Sequence, residues 1–336
     1  MWTTLFVEYA AFFLKVITIL GAIVFVISLS SKGKTKKTEG EVALTDLSDK
    51  WLTQKETFEK ELLGSKAYKK RQQEAEKESD EKEEDKERKR LFVLEFEGDT
   101  LAKQVEHLRE EVTAILTIAR PEDEVLVRLE SPGGSVYGYG LGASQLRRMK
   151  DKKILLTVAV DKVAASGGYM MACVADHIVA APFAVVGSIG VVAEVPNVHR
   201  LLKKHDIDVD VMTAGEYKRT VTLMGENTPE GKEKFQQELD DVHTLFKNFV
   251  KDNRPSIDIE RVSTGEAWYG TSAKELNLVD DIATSDDLIL RDIQDKDVFL
   301  VKYQEKKSLV NRIGVQLETS LSRLFLTLTN QSGRLG

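Results

Sequence analysis

The chain has very little of the side chains from which disulfides and metal sites are built. It has one cysteine, Cys173, and five histidines, and their spacing resembles no metal site. A single thiol excludes an internal disulfide, and we predict no structural metal. Cys173 stands among small and apolar residues at 170–175, so we expect buried packing there rather than a nucleophile.

An excess of positive charge is also missing. The chain carries 48 Lys and Arg against 55 Asp and Glu, a formal net charge of -7. Binding to phosphates requires a basic face, so we predict no nucleic-acid partner. The 336 residues are 42% hydrophobic, which is enough for a sizeable core in one globular domain with extensions.

One long apolar run is present near the start of the chain. Residues 9–29 carry a single charge, Lys15, and at about 1.5 Å per helical residue they match a hydrocarbon core of roughly 30 Å. A cleaved signal peptide and a buried core helix are the alternatives, although Glu8 and the lack of a basic start are unlike a signal peptide. We predict a single-pass anchor in the membrane lipid.

Basic residues follow the predicted anchor. Four lysines precede the first acid, Glu39, and the positive-inside rule therefore places the body of the protein in the cytoplasm, although the sequence leaves the side unsettled. The lysines are Lys32, Lys34, Lys36 and Lys37.

The remaining chain divides into three segments. Residues 30–90 are a charged juxtamembrane region; 18 of the 22 residues at 69–90 are charged, which is typical of a solvated linker or an exposed helix. Residues 91–300 alternate apolar runs with amphipathic stretches and predict an α/β fold of repeated βα units. Residues 306–330 predict an amphipathic helix that packs on its own domain or a sister subunit, or lies on the membrane surface.

Within 91–300 the pattern predicts individual elements. We expect strands at 91–96, 125–129, 154–160, 178–181, 189–192 and 207–212. We expect helices at 100–119, 137–150, 164–175 and from Thr228 to about Asn253, where threonine as N-cap and proline in the first turn are start signals.

Two segments 52 residues apart supply a candidate nucleophile, Ser166, and a candidate base, Lys218. A serine hydroxyl needs a neighbouring base, and a lysine amine can serve once burial lowers its pKa well below roughly 10.4. A histidine triad is the rival interpretation, because Asp176 and His177 are the nearest acid and imidazole to Ser166 in sequence. We favour lysine, because Asp176 and His177 begin an apolar run that is typical of a strand edge.

Other parts of an acyl-transfer site follow the same strand-like runs. Gly133 and Gly134, after the strand at 125–129, can bring backbone amides close to a bound carbonyl, and Gly167 offers the amide directly after Ser166. Ser188 carries a hydroxyl that could hold the lysine amine. Each position also has a purely structural interpretation, as part of a tight turn or, for Ser166, as a helix N-cap.

In their order along the chain, these motifs resemble the signal peptide peptidase A (protease IV) family of serine-lysine membrane peptidases, and within it the single-copy inner-membrane type. The resemblance covers roughly 91–285. Its motifs are SPGG at 131–134, VAASGGYM at 163–170, VGSIGV at 186–191, AGEYKRT at 214–220, LMGENT at 223–228, TGEAWYG at 264–270 and AKELNLVDDI at 273–282.

The resemblance implies a fold like that of Clp protease and crotonase, with Ser166 as nucleophile and Lys218 as general base. It implies a bacterial inner-membrane endopeptidase without a cofactor, acting on unfolded or membrane-released peptides such as signal-peptide remnants. It also implies a homo-oligomer in which serine and lysine can come from adjacent protomers. The alternatives are a crotonase-like acyl-CoA enzyme and a catalytically silent membrane scaffold.

Overall fold

The computed structural model describes Tyr9, residues 11–16, Thr18, and residues 40–80 and 88–305. The compact unit of interest is Val42–Tyr303. The predicted anchor at 9–29 lies mostly outside the described residues and the predicted helix at 306–330 wholly outside them, so both stay predictions. In the part of the chain that is described, no helix combines the length and the apolar character needed to cross a membrane.

A seven-stranded sheet forms the centre of this unit, in the order β1-β10-β2-β3-β4-β6-β9. Every strand pairing from β10 to β9 is parallel, and β2 to β4 are mostly buried, as expected for strands covered on both faces. The strands are β1 (Gly40–Asp46), β2 (Lys89–Glu97), β3 (Glu124–Glu130), β4 (Leu155–Val160), β6 (His177–Ala180), β9 (Asp281–Ile282) and β10 (Lys296–Glu305).

A small second sheet stands beside the first. Its order is β5 (Val163–Ala165), β7 (Val185–Gly187) and β8 (Ala267–Tyr269), with β5 and β7 parallel and β7 and β8 antiparallel. A bridge between Ser131 and Ala164 joins the end of β3 to this sheet. The bridge brings the loop after β3 next to the loop after β5, although Ser131 and Ala164 are 33 positions apart in the chain.

The helices connect and cover these strands. They are α1 (Leu47–Asp80, kinked at Gly64), α2 (Val105–Ile118), α3 (Val136–Asp151), α4 (Gly167–Ala172), α5 (His199–Lys204), α6 (Pro229–Asn253), α7 (Ile259–Val262), α8 (Gly270–Glu275) and α9 (Ser285–Asp292). In α6 the Thr228 hydroxyl accepts a hydrogen bond from the Gly231 N–H, and Pro229 is the first residue, as predicted.

The α/β class is confirmed, as are the strands at 91–96, 125–129, 154–160 and 178–181 and the helices at 137–150 and 229–253, to within a few residues. The helix expected at 100–119 begins later, at Val105. The helix predicted at 164–175 is wrong in its bounds: it contains only Gly167–Ala172, because Val163–Ala165 pair with β7 as a strand.

The strands predicted at 189–192 and 207–212 are wrong. Ladder pairing with β5 and β8 ends at Gly187, and the chain beyond Gly190 is largely exposed. The alternating side chains at 207–212 lie on a largely exposed segment that has no strand beside it among the described residues. An alternating pattern specifies a strand only where a second strand is available to pair with it.

Candidate active site

Ser166 stands at the junction of β5 and α4 in a strained backbone conformation, with φ 53° and ψ -117°. Its N–H donates to the Gly187 carbonyl at 2.8 Å, and its own carbonyl accepts from the Met170 N–H at 2.9 Å. A positive φ in a residue other than glycine costs on the order of 1–3 kcal/mol and occurs mainly where function requires it. The Ser166 hydroxyl makes no capping hydrogen bond to α4, so the interpretation as a plain N-cap has no support.

The glycine loop after β3 lies directly against Ser166. A Cβ on Gly133 would stand 2.7 Å from both the Ala165 carbonyl oxygen and the Ser166 Cβ, and the φ of Gly133 is +92°. Gly134, with φ +156°, is equally confined, because a Cβ there would collide with the Thr100 carbonyl. Only glycine lets this backbone approach the serine so closely.

The three predicted oxyanion donors are not equivalent. The Gly133 N–H donates to the Ser131 hydroxyl at 3.1 Å and is therefore engaged. The Gly134 N–H has no acceptor among the described residues, and Gly167 is the first residue of α4, whose N–H lacks an intrahelical acceptor. Gly134 and Gly167 are thus the amides available to a bound carbonyl oxygen.

Tyr139 supports Gly167 directly and the Gly133 loop through Ser131, and sequence reasoning missed it. Its buried hydroxyl lies 2.8 Å from the Asp99 carbonyl, to which it donates, and 2.6 Å from the Ser131 hydroxyl that holds Gly133. Its ring packs so tightly on Gly167 that a Cβ there would collide with it. Burial raises the pKa of the Tyr139 phenol, which therefore stays protonated as a donor.

Ser188 also has a positive φ, 52°, in the turn that follows β7. Its N–H donates to the Glu266 carbonyl at 2.7 Å, while the preceding carbonyl, that of Gly187, accepts from Ser166. The nucleophile and the candidate lysine-orienting hydroxyl are therefore connected through two adjacent backbone hydrogen bonds.

Five of the six predicted site residues line one cleft of about 890 Å³. Ser166, Gly133, Gly134, Gly167 and Ser188 all line it. Its other walls are mainly apolar and include Leu101, Val136, Met170, Val191, Val192, Val242 and Phe246. Such a cleft has the size and lining of a site for an extended apolar segment.

Lys218 is the predicted site residue that does not line this cleft. It is exposed, on a segment at 206–228 without regular secondary structure, and its N–H donates to the Gly215 carbonyl at 3.2 Å. In this structure Lys218 therefore lies outside the cleft that Ser166 lines.

The rival histidine triad is not assembled either. The His177 ring lies 3.8 Å from an oxygen of Asp280 and 3.3 Å from one of Asp281, and Asp176 accepts from the Leu156 N–H. Neither Asp176 nor His177 lines the cleft. The side chains of both residues are engaged in these contacts at the edge of β6.

Cys173 is fully buried, as predicted, and burial raises the pKa of its thiol to about 12. A thiol of that kind is neutral at physiological pH and cannot act as a nucleophile. Across the described ranges, no group of three or more His, Cys, Asp or Glu side chains is placed to hold a metal ion.

Gly133→Ala should lower kcat/KM by on the order of 10²-fold, because the added methyl group must displace Ser166 or the oxyanion loop. Gly140→Ala is the matched control, since Gly140 lies in α3 with open space around its Cβ position. Hydrolysis kinetics and thermal unfolding of both variants test this prediction. Wild-type kinetics in Gly133→Ala would show that the close approach has no catalytic importance.

Two family profiles and several known proteins match most of this chain. Residues 148–298 match the profile of Peptidase family S49, and residues 4–146 match that of Peptidase family S49 N-terminal. A "Probable protease SohB" of Haemophilus influenzae is 52% identical over 97% of this chain and 97% of its own length. Another, from Buchnera aphidicola subsp. Acyrthosiphon pisum, is 53% identical over 72% of each chain.

A solved structure of a more distant protein also matches. It is the "1510-N membrane-bound stomatin-specific protease", as a mutant in complex with a substrate peptide, at 12% identity and a TM-score of 0.41, over 68% of this chain and 98% of that one.

Proposed function

Because this chain belongs to peptidase family S49 and is a serine-type protease, we propose that it is an endopeptidase with Ser166 as nucleophile and Lys218 as general base. The observation that carries the proposal is the strained Ser166, which opens into a cleft beside the Gly134 and Gly167 amides. Strain at a partly exposed serine beside two such donors serves acyl transfer and has no evident use in packing.

The proposed reaction has two halves. The Ser166 hydroxyl attacks the scissile carbonyl while the Lys218 amine takes its proton, and the oxyanion is held by the Gly134 and Gly167 N–H groups. The lysine then gives the proton to the leaving amine, which departs as the new N-terminus. Water, deprotonated by the same lysine, hydrolyses the acyl-serine and restores the hydroxyl.

We propose that Lys218 reaches the cleft of a neighbouring chain in a homo-oligomer. The segment that carries it, residues 206–228, is largely exposed and bears large apolar side chains. These are Val211, Met212, Tyr217, Leu223 and Met224, and Met212 is 89% exposed. Exposed apolar residues grouped on one segment are typical of an interface. In that arrangement Ser188, which lines the receiving cleft, hydrogen-bonds the incoming amine.

The cleft walls favour substrates of a particular kind. Its apolar lining suits an extended peptide with hydrophobic side chains, which only an unfolded or membrane-released chain would present. Signal-peptide remnants have this character. We also propose that residues 9–29 anchor the protein in the bacterial inner membrane, with the catalytic unit on the cytoplasmic side. The proposed fold of that unit is like that of Clp protease and crotonase.

A serine-reactive fluorophosphonate probe tests the activity directly. We expect the wild-type protein to be labelled on Ser166 and to cleave an apolar fluorogenic peptide, with both signals lost in Ser166→Ala. Absence of both in correctly folded wild-type protein would favour the catalytically silent scaffold.

A further inference from the structure

His243 is the one ionisable side chain among the described residues that line the cleft, and the reaction above does not use it. It lies on α6, next to Val242 and one turn before the buried Phe246, which also line the cleft. The helix packs on α4, the helix that follows Ser166. His243 is thus a half-buried polar group in an otherwise apolar wall.

The contact that His243 makes defines its chemistry. Its Nε2 lies 3.3 Å from the carbonyl oxygen of Ile189. A carbonyl oxygen only accepts hydrogen bonds, so the ring must carry its proton on Nε2 and donate it. A nitrogen that already carries a proton and donates it to Ile189 cannot take the proton of Ser166. His243 therefore does not act as the general base through this nitrogen.

Ile189 belongs to the turn at 187–190, which three hydrogen bonds fix in place. Gly187 accepts from the Ser166 N–H, Ser188 donates to the Glu266 carbonyl, and Ile189 accepts from His243. Ser188 sits in this turn at φ 52°, a conformation that persists only when its surroundings over-determine it. Of the three bonds, the one to His243 is the one made by a side chain.

We propose that His243 is a positioning residue that acts through the Ile189 carbonyl to hold the Ser188 hydroxyl where it orients the catalytic lysine. Without the imidazole donor, the turn relaxes from its strained φ and Ser188 leaves its place. This inference rests on the proposed function, because it assigns His243 a role through Ser188 in the same reaction.

A double-mutant cycle tests the proposal. His243→Leu removes the donor and keeps similar volume, whereas His243→Gln keeps an N–H donor near the position of Nε2. We expect His243→Leu and Ser188→Ala each to lower kcat about tenfold with little change in KM, as a misplaced group does. We expect His243→Leu to add nothing in the Ser188→Ala background and His243→Gln to recover most of the activity. His205→Leu, an exposed histidine outside the cleft, is the control.

Three results would overturn the proposal. They are additive effects of His243→Leu and Ser188→Ala, a His243→Gln variant as impaired as His243→Leu, and a His243→Leu effect on KM alone, which would make His243 a substrate contact. The activity of Ser166→Ala distinguishes failure of the proposed serine mechanism from failure of the proposed role of His243. Residual activity in that variant contradicts the serine mechanism and this inference together, whereas an inactive Ser166→Ala with an additive cycle contradicts this inference alone.

Discussion

Ser166→Ala is expected to lower peptide hydrolysis roughly 10⁴-fold or more, because it removes the atom that forms the acyl-enzyme and leaves only the oxyanion donors and the binding cleft. The fold should survive, since the Ser166 hydroxyl makes no hydrogen bond that caps α4. Steady-state hydrolysis of an apolar peptide and thermal unfolding together measure both parts of this expectation.

Ser144→Ala is the matched control for that experiment. Ser144 is an exposed serine on α3 whose hydroxyl donates to the Gly140 carbonyl, outside the cleft. We expect it to keep wild-type kinetics. A Ser166→Ala variant that still hydrolysed peptide at a rate near that of Ser144→Ala would place the nucleophile elsewhere.

Lys218→Ala and Lys218→Arg should both lose activity, by roughly 10³-fold or more, since general-base assistance to the serine is lost in each. Lys218→Arg distinguishes a role in proton transfer from a role as a positive charge. A guanidinium keeps the positive charge but does not release its proton at any usable pH. Measurement of kcat/KM for both variants, with Lys204→Ala on α5 as an exposed control, tests this prediction.

Two outcomes would contradict the role of Lys218. Activity retained in Lys218→Arg would show that the residue acts through charge and not through proton transfer. Activity retained in Lys218→Ala would place the base at another residue.

The sequence predicted the parts of the site that depend on local backbone chemistry. Ser166, Gly133, Gly134 and Gly167 follow strands, and small residues at those places have few uses besides close backbone approach. Lys218 could not be found this way, because an exposed lysine in an irregular segment looks like any other; only the family resemblance singled it out. Tyr139 and His243 were missed because their importance depends on contacts with residues 40 and 54 positions away.

The two false strands have different physical origins. At 189–192 an apolar run is not paired in a sheet, and its residues 190–192 line the cleft. At 207–212 an alternating run has no strand beside it within the described part of the chain. Both runs carry exposed hydrophobic side chains, such as Val192 and Met212, which sequence periodicity cannot distinguish from side chains inside a sheet.

The central claim, a site shared between chains, is tested most directly by co-expression of Ser166→Ala and Lys218→Ala chains with different affinity tags. Mixed oligomers purified through both tags should regain at least about a quarter of wild-type activity, because an intact serine meets an intact lysine at one in four randomly formed cyclic interfaces and the double purification removes the inactive homo-oligomers. Each variant alone should stay inactive. Mixed oligomers that co-purify without any regained activity would contradict the shared site and require Ser166 and Lys218 to meet within one chain.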